Sequence, residues 1–200
     1  MRITPYPQQS PEWLEAKRGI PGASNFHKIV TSTGAPSKQA LGYLYTLAAE
    51  RISGIREPSY KSAEMEEGTA REAESRAVYS MLCEVDVKQV GFCLSDCGRY
   101  GCSPDGLVGD DGLVELKNRT GKVAIEHLLQ NELPVKVTQQ VQGGLLITSR
   151  DWCDYVSYFP GLRTLIIRVE RDEAFLARLE KELIAFCDRL DEVCEQARKC

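Results

Sequence analysis

Gly109-Asp110-Asp111-Gly112 is a tight-turn signal set between Leu107-Val108 and Leu113-Val114, and it commits the middle of this chain to a β-hairpin. The hairpin constrains chemistry as well as fold. Ser103-Pro104-Asp105 precedes it and Glu115-Leu116-Lys117 ends it, so folding at 109–112 carries Asp105 back beside the Glu/Lys pair. Strand side chains alternate, which puts Glu115 and Lys117 on one face and Val114 and Leu116 on the other. Two carboxylates and a lysine then converge at one end of a small sheet. Two acids at that range hold a hard divalent cation such as Mg²⁺, which prefers oxygen ligands and keeps waters for a substrate. Such a cation lowers the pKa of a bound water and takes up charge on a phosphoryl oxygen. Lys117 would orient that water and stabilise the developing charge. The same residues also have ordinary readings: Pro-Asp-Gly is common turn chemistry, and Glu115 with Lys117 could be a solvated surface pair.

Periodicity places the other elements around this hairpin. A turn with Ser24 precedes a helix beginning near Asn25. A helix over 37–53 is capped by Ser37, carries Ala40, Leu41, Leu44, Leu47 and Ala48 on one face, and stops at Gly54. A second helix spans 62–82 and puts Glu72 on the side of Met65. Residues 85–94 alternate like a strand with a register change, and 100–108 and 113–117 form the hairpin. A short helix over 122–130 precedes Pro134, which opens a helix running to Thr148 with Gln140 beside Val137 and Gly144. Gly143-Gly144 inside that helix predicts close approach by another backbone. Strands over 155–159 and 164–170 flank Pro160-Gly161, and a last helix over 172–197 repeats Phe175, Leu176, Leu179, Leu183, Phe186, Leu190 and Val193. This order predicts one α/β domain over residues 1–200, with a central mixed sheet of about five strands flanked by helices.

Composition narrows the class. No apolar run is long enough to span a bilayer and the N-terminus has no signal-peptide core, so the expectation is a soluble, cytoplasmic protein without a membrane partner. The eight cysteines are then expected as reduced, structural thiols. Cys93, Cys97 and Cys102 match no common zinc or cluster spacing, and His27 and His127 have no acid or cysteine at ligand spacing. The formal net charge is −4, and it is unevenly spread. Residues 1–60 carry 7 basic against 4 acidic side chains, 61–115 carry 5 against 12, 116–168 carry 7 against 4, and 169–200 carry 6 against 9. The acid excess falls on the segment with the candidate metal ligands and on the last helix. Charge by itself does not separate a nucleic-acid enzyme from any other acidic protein.

The order Pro-Asp, spacer, Glu-x-Lys resembles the PD-(D/E)xK nuclease superfamily and its restriction-endonuclease-like core. More of the chain is similar to the phage lambda exonuclease family, the YqaJ-like viral recombinases or alkaline exonucleases. Trp13, Lys17-Arg18-Gly19 and Gly22-Ala23-Ser24 resemble its opening motif, with Lys17 where Arg is usual. Gly68-x-x-x-Glu72-x-x-x-Arg76, Cys102 to Leu107, Glu115-Leu116-Lys117, Gln140-Val141-Gln142 and 169–173 follow in family order, although Asn118-Arg119 replaces the usual Cys-Pro. The likeness covers roughly residues 10–195. It implies a Mg²⁺-dependent exonuclease, with Mn²⁺ as a substitute, that degrades one strand of linear duplex DNA from the 5′ end and leaves a 3′ single-stranded tail. Asp105, Glu115 and the Leu116 carbonyl would bind metal with Glu72 assisting; Lys117 would serve the attacking water and Gln140 would position the site. Lys17, Arg18 and Ser24 would receive the 5′-phosphate, with the choice between Lys17 and Arg18 open. The resemblance further implies a homotrimer around double-stranded DNA ends and, in a phage- or prophage-infected bacterial cell, a Bet- or RecT-type annealing partner for recombination. A monomeric endonuclease of the same superfamily, and a degenerate protein that only binds DNA ends, are the competing expectations.

Overall fold

The turn at 109–111 closes the expected hairpin: strands Gly106–Val108 and Gly112–Asn118 run antiparallel with Val108 opposite Gly112. Arg150 secures it from a distance, donating through Nη1 to the carbonyls of Val108, Gly109 and Gly112 at 2.7–3.1 Å. This computed structural model describes residues 1–56, 67, 68 and 70–199. Its strands are β1 Arg2–Ile3, β2 Val87–Lys88, β3 Cys93–Leu94, β4 Gly101–Cys102, β5 Gly106–Val108, β6 Gly112–Asn118, β7 Trp152–Tyr158 and β8 Leu165–Glu170. Its helices are α1 Pro11–Ala16, α2 Ala40–Ser53, α3 Glu72–Cys83, α4 Gly121–Gln130, α5 Thr138–Thr148 and α6 Glu173–Ala197, with 3₁₀ turns at Ala23–Lys28 and Val135–Val137.

The main sheet has five strands in the order β2-β5-β6-β7-β8. Only β6 and β7 pair in parallel, with Glu115 opposite Tyr155 and Lys117 opposite Ser157, so the sheet is mixed. Joining parallel neighbours requires a crossover, and α4 and α5 supply it. β6 is buried over Gly112–Leu116, as a central strand covered on both faces must be. Leu107, Leu113 and Cys153 face Val141 and Leu145 of α5, while Val108, Val114, Leu116 and Val156 face Tyr79 of α3. A third cluster joins α2, α6 and the Ala23–Lys28 turn through Phe26, Leu44, Leu47, Leu179, Leu183 and Leu190.

Several expectations are corrected. The stretch 85–94 divides between two sheets: β2 joins the main one, and β3 joins β1 and β4 in a three-stranded sheet that periodicity does not reveal. Ser24 is the second residue of a six-residue 3₁₀ turn, Ala23–Lys28, where an α-helix from Asn25 is expected. Pro134 precedes a 3₁₀ turn, after which α5 begins at Thr138. Leu41 is exposed, and Tyr43 takes its expected place in the core. The expected helix over 62–82 lies partly outside the described residues; α3 covers Glu72–Cys83. No helix among the described residues is long and apolar enough to cross a membrane.

Gly143 is tight for a different reason from the one expected. A Cβ there would lie 2.5 Å from Phe26 Cδ2, so a buried side chain, not a backbone, occupies the space. Helix propensity alone favours Ala over Gly by up to about 1 kcal/mol. Overpacking a filled core costs about 1–3 kcal/mol and should win here. Gly143→Ala is therefore expected to lower the denaturant midpoint at unchanged slope; a stabilised variant would mean that Phe26 yields freely.

Candidate active site

Beyond Val114, β6 has no partner on the β5 side, because the β5 pairing ends where Gly106 meets Val114. Asp105 folds over this open edge, and its Oδ2 accepts a hydrogen bond from the Leu116 amide at 2.6 Å. In a strand the N–H and C=O of one residue point to the same edge. The Leu116 carbonyl therefore faces the Asp105 side as well. Gln8 holds the loop that carries Asp105, donating through Nε2 to the carbonyls of Pro104 at 2.8 Å and Val90 at 3.0 Å.

Glu115 projects from β6 toward α5, where Gln140 Nε2 donates to its Oε1 at 2.5 Å. Lys117 forms an ion pair with the same carboxylate oxygen. Glu72 opens α3 and pairs with Arg76 at 2.6 Å, and Arg76 Nε donates to the Asp105 carbonyl at 3.4 Å. Burial pushes the Asp105 carboxyl well above the usual range; the Glu115 charge adds to this, Lys117 opposes it, and Glu72 adds again. Burial would lower the Lys117 ammonium, but Glu115 and Asp105 outweigh it and hold the group above its ordinary value.

This donor set suits a hard divalent cation: two carboxylates and a main-chain carbonyl on one strand edge, with more negative charge than one lysine cancels. Among the described residues, no group of three or more His, Cys, Asp or Glu side chains gathers at metal-binding range. Glu72, engaged by Arg76, stands just outside the pair.

A cavity of about 140 Å³ opens beside Glu115 and Gln140, with Trp13, Lys17, Ser24 and Ser103 also in its wall. Lys17 Nζ lies 3.6 Å from the centroid of the Trp13 ring. Lys17 forms no ion pair among the described residues, and burial, with help from Arg56, lowers its pKa to about 8. Trp13 Nε1 and Ser103 Oγ are buried and have no hydrogen-bond partner among the described residues. Three polar groups that would welcome an anion thus surround one small space. Arg18 does not join them. It pairs with Glu15 and donates to the Glu50 carbonyl at 3.3 Å.

Ser103 and Gln8 have no role in the sequence reading. Ser103 adjoins Pro104-Asp105, a signal that could have found it; Gln8 lies outside every motif. His127 is a core histidine, its Nδ1 3.1 Å from Ser157 Oγ and 3.2 Å from the Tyr155 hydroxyl. The seven cysteines among the described residues are free thiols, and Cys102 and Cys153 lie in the cavity wall.

Residues 12–151 match the YqaJ-like viral recombinase domain. The chain belongs to this family. The chain is similar to an alkaline exonuclease, LHK-Exo, from Laribacter hongkongensis, with 31% identity, 95% of this chain and 97% of that one covered, and a TM-score of 0.88. A structure of LHK-Exo in complex with dAMP gives 31% identity, the same coverage and a TM-score of 0.86. A phage related exonuclease from Haemophilus somnus 129PT shares the fold at 13% identity, with 89% and 96% covered and a TM-score of 0.69. No curated protein sequence matches the chain.

Because folding raises the Asp105 pKa, the folded state holds this proton more tightly than the unfolded chain does. The group therefore favours folding below the ordinary Asp value, about 3.9, and that contribution is lost as pH rises through the window between the two values. Asp105→Asn removes the burden. At neutral pH and without metal, the variant is expected to melt above the wild type, by roughly 2–4 °C per kcal/mol recovered. Added Mg²⁺ should raise the melting temperature of the wild type and leave the variant unmoved. A wild type indifferent to Mg²⁺ would count against the cation site.

Proposed function

We propose that this YqaJ-like protein is a metal-dependent exodeoxyribonuclease that degrades one strand of linear double-stranded DNA from its 5′ end. The observation that carries the reading is the meeting of Asp105, Glu115 and Lys117 on one strand edge, directly beside a small cavity with an unpaired cation. Membership of the family and the likeness to an alkaline exonuclease support it. A Mg²⁺ ion, with Mn²⁺ as a substitute, would be held by Asp105, Glu115 and the Leu116 carbonyl with Glu72 nearby, and would supply an acidified water and charge neutralisation at the phosphoryl group.

The remaining work belongs to the side chains. Lys117 orients the attacking water and answers the negative charge that builds on phosphorus. Gln140 fixes the Glu115 rotamer through its 2.5 Å hydrogen bond. Lys17, Ser24, Ser103 and Trp13 Nε1 take the terminal 5′-phosphate, so a 5′ end seats with the next phosphodiester near Glu115. Arg18 is left to hold Glu15 and the Glu50 carbonyl. A chain with net charge −4 has few phosphate contacts with which to hold DNA through many turnovers. A homotrimeric ring answers this by enclosing the duplex, and the exposed Leu41, Tyr45, Ile52 and Ile55 offer apolar surface for such an assembly. The 3′ tail left behind is the substrate form for a Bet- or RecT-type annealing protein.

Digestion of linear against covalently closed circular duplex tests the reaction. Linear DNA should be degraded and closed circles spared, and Lys117→Ala should abolish the activity while Mg²⁺ affinity by calorimetry stays near that of the wild type. Cleavage of closed circles would transfer support to the endonuclease reading. Light scattering coupled to size exclusion is expected to give three times the 22.3 kDa chain mass; a monomer at micromolar concentration would remove the ring.

Lys17 adds a pH test. Its charge is present below about pH 8 and lost above it. The preference for 5′-phosphate over 5′-hydroxyl ends, measured as a ratio of kcat/KM, is therefore expected to decline between pH 7 and 9. In Lys17→Arg, whose guanidinium stays charged, the ratio should stay level. A wild-type ratio independent of pH would exclude Lys17 as the phosphate ligand.

A further inference from the structure

Besides the apolar packing of Tyr79, three side-chain hydrogen bonds among the described residues tie the Glu72 helix and its approach to the sheet. Tyr79 Oη donates to Asp154 Oδ2 at 2.7 Å, and Tyr158 Oη donates to Glu74 Oε1 at 2.6 Å; both fall after Glu72 and both end on β7. The third lies before Glu72. Asn118, the last residue of β6, donates through Nδ2 to the Gly68 carbonyl at 2.9 Å. Among the described residues this is the contact that ties the approach to α3 directly to the strand of Glu115 and Lys117.

The approach is close. A Cβ on Gly68 would lie 2.9 Å from the Asn118 carbonyl oxygen, so this seat accepts only glycine without movement of the backbone. Helical hydrogen bonding carries the seat into α3: the Arg71 amide donates to the Glu67 carbonyl at 3.1 Å and the Ser75 amide to the Arg71 carbonyl at 3.0 Å. A shift at Gly68 is thereby passed to Glu72 one turn later. The Asn118 amide reaches this position with its Oδ1 buried and, among the described residues, unpartnered. An amide kept with its oxygen unpaired is explained by what its nitrogen holds. Arg76 completes the linkage, pairing with Glu72 and donating to the Asp105 carbonyl.

We infer that Asn118 is a positioning residue, which latches the Gly68 turn to the end of β6 and so sets the distance of Glu72 from Asp105 and Glu115. The inference rests on the reading of Asp105, Glu115 and Glu72 as a cation site. Asn118 itself touches neither the cation nor the substrate in this role. Outer partners that orient a ligand typically account for 10–100-fold in metal affinity. The latch acts through Glu72, so its loss and the loss of Glu72 should not add.

Calorimetric Mg²⁺ titration of the full chain is the test, with Asn118→Ala and the volume-preserving Asn118→Leu compared with Glu72→Gln and the two double variants. All should first match the wild type in circular dichroism; the Leu variant serves if the Ala variant does not fold. Each single variant is expected to lose about tenfold in affinity. Glu72→Gln added to either Asn118 variant should lose less than a further twofold, and activity should return toward the wild-type level at saturating Mg²⁺. Folded Asn118 variants with wild-type affinity, or losses that multiply in the double variants, would overturn the latch while leaving the cation site in place. Wild-type affinity in Glu72→Gln alone, or no Mg²⁺ binding by the wild type, would overturn the latch together with the reading of the site beneath it.

Discussion

The hydrogen bond from the Leu116 amide to Asp105 Oδ2 is the contact on which the site depends. It brings a loop carboxylate to a strand edge that already carries Glu115, and two like charges meet in a partly buried wall. Such a pair stays ionised only if other charges or donors compensate it. Lys117 does part of this from within β6, and Gln140 adds a donor from α5. Burial, with the Glu115 charge adding to it, still leaves the Asp105 pKa raised. The protein keeps an electrostatic deficit that a cation is suited to fill, and it keeps it on a strand buried over most of its length. The surrounding core has to be stiff enough to hold that deficit in place.

The same reasoning bears on how an acidic chain could work on a polyanion in the proposed reaction. The net charge of −4 is a sum over the whole surface, whereas attraction for a phosphate is set within a few ångströms. Lys17 lies against the Trp13 ring, where the aromatic face stabilises an ammonium without cancelling its charge. Arg18, one residue later, spends its charge on Glu15. Successive residues of a helical turn point about 100° apart, so one faces the cavity and the other the exterior.

That divergence also marks what could be read from residues alone. The hairpin, the Asp105/Glu115/Lys117 meeting and the long α6 follow from local turn chemistry and periodicity, and the structure has them where those signals point. The choice between Lys17 and Arg18 depends on the phase of the turn that follows a six-residue helix, which no periodic pattern defines. β1, β3 and β4 are two residues each, too short to alternate visibly, so the second sheet is set by pairing across the chain rather than by propensity. Gln8 reaches Pro104 over 96 residues of sequence. The Gly143 seat is made by Phe26, and the Asn118 contact with Gly68 joins two segments that nothing local relates. Chemistry carried within one hairpin was legible; the long-range contacts that aim it were not.

The size of the cavity bears on specificity in the proposed reaction. About 140 Å³ is well below the roughly 300–1,000 Å³ of sites that engulf a drug-sized ligand. A space of this size suits a terminal phosphate, and in the proposed reaction the bases would stay outside it. Recognition would then read only the backbone and its end, through Lys17, Ser24, Ser103 and Trp13, and carry no base information. Because Glu115 and Gln140 form part of the same wall, the seated end and the hydrolytic residues share one short span. In the proposed reaction a 5′ polarity would need no separate device: it would follow from an anion seat on one side of the carboxylates, with the Asp105 loop held over the strand edge by Gln8 and Leu116.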